Sequence, residues 1–238
     1  MSIAAVAESP NLIAFPRADL RGLLGGALKR HRLPENLAAE LVRDAQKFPD
    51  VSADAALAFA LDGRMKAAPI DFDKARGILL VGPAGGGKSA VADKILHAAT
   101  LAGRRTERAR ADCGLALFRT NSNPPDLLTV MEADGFNPLN ARAASAFSAL
   151  GEIEGVETIG VVSALNDAED VADIIAAFRF RRVIATHMDR TRRLGALLAA
   201  ATGGALLAHV THGPRPEDAL EILAPGRLAA LLLEKAQH

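Results

Sequence analysis

The sequence predicts an α/β fold: a mostly parallel sheet flanked by helices and preceded by a small helical bundle. Three observations carry this expectation. From Gly77 onward, short apolar runs alternate with amphipathic segments, the rhythm of strands buried on both faces and joined by helical crossovers. The first of those runs, Gly77–Val81, leads into the glycine-rich stretch GPAGGGKS at Gly82–Ser89, and a helical pattern follows it. Upstream the rhythm differs, with apolar residues at helical spacing and short connections over residues 18 to 67.

Residues 1–17 read as a flexible tail ending near Phe15-Pro16. Leu20, Leu23, Leu24 and Leu28 mark a first helix, which Leu33-Pro34 interrupts. Leu37, Leu41 and Val42 mark a second, ending near Pro49, and Ser52 is a suitable N-cap for a third containing Ala55, Ala56, Phe59 and Ala60. Together these make a helical N domain over 18–70, joined through Ala67–Asp73 to a P-loop domain over 71–238. In that second domain strands are expected at Gly77–Val81, Asp126–Glu132, Glu157–Ser163, Arg182–Thr186 and Ala205–Val210, with another ending at Asp112. Helices are expected at Ser89–Ala102, 139–151, 167–178 and 191–202, and a last one from Pro216 is expected to bend at Pro225-Gly226.

A chain of 238 residues can bury a full α/β core. Aromatic residues are only 4 % of it, with no Trp or Tyr, so that core must be aliphatic. Basic and acidic residues balance at 28 each, which argues against a broad nucleic-acid footprint; no direct DNA binding is expected, and Arg104, Arg105, Arg108 and Arg110 read as a solvated basic face. The single cysteine, Cys113, excludes an internal disulfide framework and fits a reducing compartment, as a structural thiol. No window approaches the ~18 apolar residues of a membrane span. The first residues lack the basic lead and apolar run of a signal peptide, so a cytoplasmic location is expected.

Gly82–Ser89 matches G-x-x-x-x-G-K-[ST] in full, the pattern of a P-loop NTPase. Glycine there lets the backbone curl until the N–H groups around Gly85, Gly86, Gly87, Lys88 and Ser89 face a phosphate that a side chain would obstruct. The helix that starts there and continues through Ala90 adds the positive end of its dipole. Lys88 is placed to bridge β- and γ-phosphates, and the Ser89 hydroxyl to ligate Mg²⁺. Gly82, Gly85, Gly86, Gly87, Lys88, Ser89 and Ala90 are therefore the expected phosphate-side contacts. Hydrolysis would also require a carboxylate near the metal and a group to hold water. The run Leu127–Met131 ends in Glu132 and Asp134, two apart and so on one side of an extended strand end. Both are candidate catalytic groups, and Glu132 is the expected metal partner of Ser89.

Near the C-terminus the run Val183–Ala185 leaves through Thr186-His187-Met188-Asp189, and Thr211-His212-Gly213-Pro214-Arg215-Pro216-Glu217-Asp218 follows. In this order the features resemble the signal-recognition-particle-type GTPases, and within them the flagellar GTPase FlhF. That family has a helical N domain, then a G domain with a G-x-x-G-x-G-K-[ST] loop and a D-T-A-G-R strand end. A T-K-x-D guanine motif, a glycine-containing helix and a late G-Q-x-x-P-x-D-L segment complete it. Gly82, Gly85, Gly87, Lys88 and Ser89 match the first motif, Gly135 the glycine of the second, Thr186 and Asp189 the guanine motif. The resemblance implies GTP or GDP with Mg²⁺, and guanine donating from N1 and N2 to the Asp189 carboxylate. It also implies pairing with a second copy or a related GTPase, and docking at the inner membrane face through a partner or the Leu20–Leu28 stripe.

The departures are specific. His187 stands where the family has lysine, and Glu132-Ala133-Asp134-Gly135-Phe136 lacks the family's arginine. The interval from Lys88 to Glu132 is too short for the family's βαβ-type insertion with its D-T-[YF]-R motif, of which Asp112 and Arg119 read as remnants. The expectation is a GTP-binding switch in protein targeting or flagellar placement, with slow hydrolysis. Two other readings stand beside it: a degenerate relative acting as an interaction scaffold, and another P-loop ATPase or small-molecule kinase with Arg190, Arg192 and Arg193 as its lid.

Overall fold

The computed structural model describes residues 17–135 and 153–234. The expected tail up to residue 16 and the expected helix at 139–151 lie outside them. Three helices open the fold, α1 (Arg17–Arg30), α2 (Glu35–Ala45) and α3 (Ala53–Asp62). Leu20, Leu24 and Leu28 of α1 pack with Leu41, Val42, Leu57 and Leu61 in one buried cluster. The α1 stripe is therefore core, and only Leu23 of the four leucines is exposed, which removes it as a membrane-docking face. Among the described residues no helix is long and apolar enough to cross a membrane.

The sheet strands are β1 (Gly77–Val81), β2 (Arg105–Arg110), β3 (Leu127–Glu132), β4 (Val156–Ser163), β5 (Arg182–Thr186), β6 (Leu206–Thr211) and β7 (Leu220–Glu221). They lie in the order β2-β3-β1-β4-β5-β6-β7, parallel except for β7, which runs antiparallel to β6. The crossovers are α4 (Lys88–Leu101), α5 (Ala111–Arg119), α6 (Ala168–Phe178) and α7 (Gly195–Thr202). Strand period 2 divides the core: Ile78, Leu80, Leu128 and Val130 pack with Val91, Ala92 and Ile95 of α4, whereas Leu79, Val81 and Met131 join the other helices.

Two expected elements are corrected. The strand expected to reach Asp112 stops at Arg110, because Leu115 and Phe118 sit at helical spacing and bury one face of α5, with Asp112 in its first turn. Cys113 in the same turn is exposed, not a buried structural thiol. The last helix, α8 (Pro225–Glu234), begins at Pro225, a residue suited to a first turn; the segment before it is a turn and β7. Leu228 and Leu232 of α8 are buried, and α8 packs on α3 and α1.

The basic face is also more ordered than its composition implies. Arg104 donates to the carbonyls of Phe72, Asp73 and Ala75, Arg105 pairs with Asp126 at 2.7 Å, and Arg108 with Asp93 at 2.7 Å. The connecting segment before β1 is likewise docked: Ala68 N–H donates to Leu207 O at 3.0 Å, and Ile70 N–H to His209 Nε2 at 3.1 Å.

That last bond requires a neutral imidazole, and burial pushes His209 from 6.5 down to about 4. Between those values the unfolded chain takes up a proton that the folded chain refuses. Stability present above pH 6.5 should therefore fall by about 1.4 kcal/mol per pH unit on acidification toward pH 4. Thermal melts across this range should show the decline, and His209→Gln should make it shallower.

Candidate functional site

β1 lies between β3 and β4, where the direction of the crossovers reverses, and in such sheets ligands occupy the crevice beyond the strand carboxyl ends. The loop after β1 fills that crevice. Gly87 is the N-cap of α4 with φ 91°, and a Cβ there would lie 3.2 Å from Thr186 as well as being strained. Glycine at this point thus lets α4 point its free N–H groups at the crevice while β5 approaches closely. Lys88 Nζ donates to Gly82 O at 2.9 Å and Pro83 O at 3.0 Å, so the ammonium is held over its own loop. Burial pushes its pKa down, against the pull of the Glu132 and Asp134 carboxylates.

On the β3 side, register sets Glu132 opposite Leu80, just before the loop. The Ser89 hydroxyl donates to Glu132 Oε2 at 2.7 Å. The other carboxylate oxygen, Oε1, accepts from Arg108, whose second arm holds Asp93. Asp134 is exposed at the same strand end, and Gly135 approaches Ala84 so closely that a Cβ would lie 2.8 Å from its Cα. Lys88, Ser89, Arg108, Glu132, Asp134 and Gly135 line an open cleft of about 900 Å³, with Asp112 and Arg119 of α5 on its far wall. The oxygen types suit the magnesium implied by the sequence, a hydroxyl and a carboxylate beside room for water and phosphate oxygens, although both carboxylate oxygens are already engaged, by Ser89 and by Arg108. Ser89 and Glu132 would hold it, and the ion would supply charge neutralisation at the phosphates.

On the other side of the loop is a smaller cavity of about 170 Å³, lined by Gly87, Ala90, Thr186, His187, Asp189 and Gly213. Thr186 is buried and its hydroxyl donates to Gly86 O at 2.7 Å, which fastens β5 to the phosphate loop. His187 has φ 61°, and its Nδ1 lies 3.0 Å from both Ser163 Oγ and Thr186 Oγ1. Burial, with Arg190 assisting, pushes its pKa down. Asp189 is exposed at the rim, where the Gly213 N–H holds its carboxyl below the ordinary range and therefore ionised. Every sequence-predicted position thus lies around one loop: Lys88, Ser89, Glu132 and Asp134 on the larger cleft, Ala90, Thr186 and Asp189 on the smaller. Arg190, Arg192 and Arg193 share a third cavity with Arg32 and Asp167; Arg190 also lines the smaller cavity, and none of the three lines the cleft at Lys88.

Three contributors had no clear sequence signal. By composition Arg108 belongs to a solvated basic face, although its position two residues before the end of β2 aims it along β3 at Glu132. Lys94 is only 1 % exposed and donates to the carbonyls of His212, Arg215 and Asp218. It holds the segment carrying Gly213 against α4, yet a lysine in an amphipathic helix reads as surface. Gly213 belongs to the stretch noticed after Thr211, but its contact with Asp189 depends on the turn that Asp218 closes onto Arg215 N–H at 2.9 Å.

No protein-family model and no curated protein matches the sequence. Solved structures do. FlhF complexed with GTP and Mg²⁺ aligns with a TM-score of 0.71 at 16 % identity, over 90 % of this chain and 99 % of its own. FtsY of Thermotoga maritima aligns at 0.70 and 16 % identity, over 90 % of this chain and 87 % of its own. The fold is that of FlhF and FtsY. FtsY of Mycoplasma mycoides repeats the match at 0.68 and 14 % identity, over 92 % and 94 % of the two chains. At these identities the likeness is one of fold, and the FlhF–FtsY fold is an α/β P-loop architecture with helices ahead of the sheet, as the sequence predicts.

Proposed function

We propose that the chain is a guanine-nucleotide-binding switch of the signal-recognition-particle GTPase type, taking GTP or GDP with Mg²⁺ and hydrolysing GTP slowly. One observation carries this reading. A single loop offers a phosphate cradle on one side and, on the other, a cavity with an ionised carboxylate at its rim, the two joined by the Thr186–Gly86 bond. Guanine N1–H and N2–H are a donor pair that Asp189 would accept. Adenine offers no such pair and would leave the carboxylate without a ligand partner, a difference of about 1–3 kcal/mol.

Slow turnover is supported by the arrangement of the strand end. Both Glu132 oxygens are engaged, by Ser89 and by Arg108, and the phosphate end opens into a wide cleft where water is not excluded. Pairing with a second copy or a related GTPase across that cleft belongs to the same reading, as does a role in protein targeting or flagellar placement. Sedimentation with a non-hydrolysable GTP analogue tests the pairing.

The decisive measurement is calorimetric titration of GTP, GDP and ATP with Mg²⁺. Guanine nucleotides should bind about tenfold or more tightly than ATP. Asp189→Asn should erase most of that preference while leaving ATP binding nearly unchanged. Preference for ATP would overturn the guanine assignment, and absence of all binding would favour an interaction scaffold.

A further inference from the structure

Arg108 lines the larger cleft, and the nucleotide reading gives it no role toward the ligand itself. It rises from β2, where Arg108 pairs with Val130 and Arg110 with Glu132. Strand period 2 puts Arg108 on the α4 face of the sheet, as Thr106 confirms by its 3.1 Å contact with Thr100 at the end of α4. From there the guanidinium fork reaches Asp93 with one arm and Glu132 with the other. Glu132 in turn receives the Ser89 hydroxyl. A fixed positive charge therefore already sits on the carboxylate that is the expected metal partner, at the edge of the cleft that Lys88 lines.

We infer that Arg108 is a built-in cation for the phosphate end, so that a nucleoside diphosphate binds this chain with little dependence on Mg²⁺. The inference rests on the nucleotide reading above. An anionic diphosphate placed beside an uncompensated Glu132 and Asp134 would meet like charge, which most P-loop sites relieve with a divalent ion. Here the guanidinium neutralises Glu132 before any ligand arrives, and its planar fork suits phosphate oxygens as well as carboxylates. A divalent ion entering between Ser89 and Glu132 has to break their bond and meet the positive charge of Arg108. Arg108 thus supports the diphosphate and opposes the metal. Its side chain is 41 % exposed, so it can turn from Asp93 toward a ligand without repacking the core.

The test is calorimetric titration of GDP into the full chain, once with Mg²⁺ and once with EDTA. The wild-type chain should bind GDP within about threefold in the two buffers, whereas Arg108→Gln should lose about tenfold or more in EDTA and recover with Mg²⁺. Arg108→Lys, which keeps the charge, should fall between them, and it supplies the readout if the glutamine variant does not fold. A wild-type affinity that collapses in EDTA overturns the inference, and so does an Arg108→Gln chain as insensitive to Mg²⁺ as the wild type. Absence of GDP binding by the wild-type chain in both buffers overturns the nucleotide reading itself, a different result from either.

Discussion

Lys88→Ala should lower affinity for GDP and GTP by about 100-fold or more, the loss of one strong charge-assisted contact worth about 3 kcal/mol. The ammonium lies over Gly82 and Pro83, within the loop that would surround the phosphates. Burial already depresses its pKa, so the charge is poorly solvated and gains from an anionic partner. The fold should survive the substitution, since Lys88 bonds only to two carbonyls of its own loop, at a rim that water reaches. Circular dichroism with parallel calorimetry separates the two effects. A variant that folds and keeps wild-type affinity would sink the assignment of the loop as a phosphate cradle. A variant that loses binding yet keeps its cellular role would support the scaffold reading.

Lys94→Met is expected to destabilise the fold by roughly 2–4 kcal/mol. Methionine matches the stem of the lysine, so apolar packing along α4 is conserved. What disappears is a buried cation with three carbonyl acceptors, His212 at 3.2 Å, Arg215 at 2.8 Å and Asp218 at 2.5 Å. Some of those carbonyls will reach water at the loop surface, which keeps the cost below three full desolvation penalties. For a chain of this length the melting temperature should drop by roughly 5–12 °C. Because the freed segment carries Gly213, guanine affinity should weaken more than the response of the phosphate side to pyrophosphate. Unchanged melting would show that the segment is held by Asp218 and β7 alone.

Much of this architecture was legible in residue order, for a physical reason. Strands buried on both faces cannot avoid continuous apolar runs, so Gly77–Val81 and Arg182–Thr186 coincide with their expected bounds. The conformation of the glycine-rich loop was legible because Gly85 and Gly87 adopt positive φ that other residues rarely meet. Legibility failed where long polar side chains choose between water and a distant partner. Arg108 and Lys94 look like any surface cation until the sheet and α4 bring Glu132 and three carbonyls within reach. It failed again at α5 and β7, where short segments carry weak periodicity and tertiary contacts decide. Helix α8 was displaced for a related reason: Pro216 and Pro225 both permit a first turn, and the buried faces of Leu228 and Leu232 select the second.

The bond from Thr186 to Gly86 ties the strand beside the smaller cavity to the loop beside the larger one. On the reading proposed above, two half-sites held at one separation would act as a ruler: a base and a diphosphate on one molecule would each be presented at high effective concentration once the other is seated. Guanosine alone or pyrophosphate alone has no such advantage and bears the full entropy of association separately. On that reading the Thr186 hydroxyl, inside β5, would help set the length of molecule that the two cavities accept together.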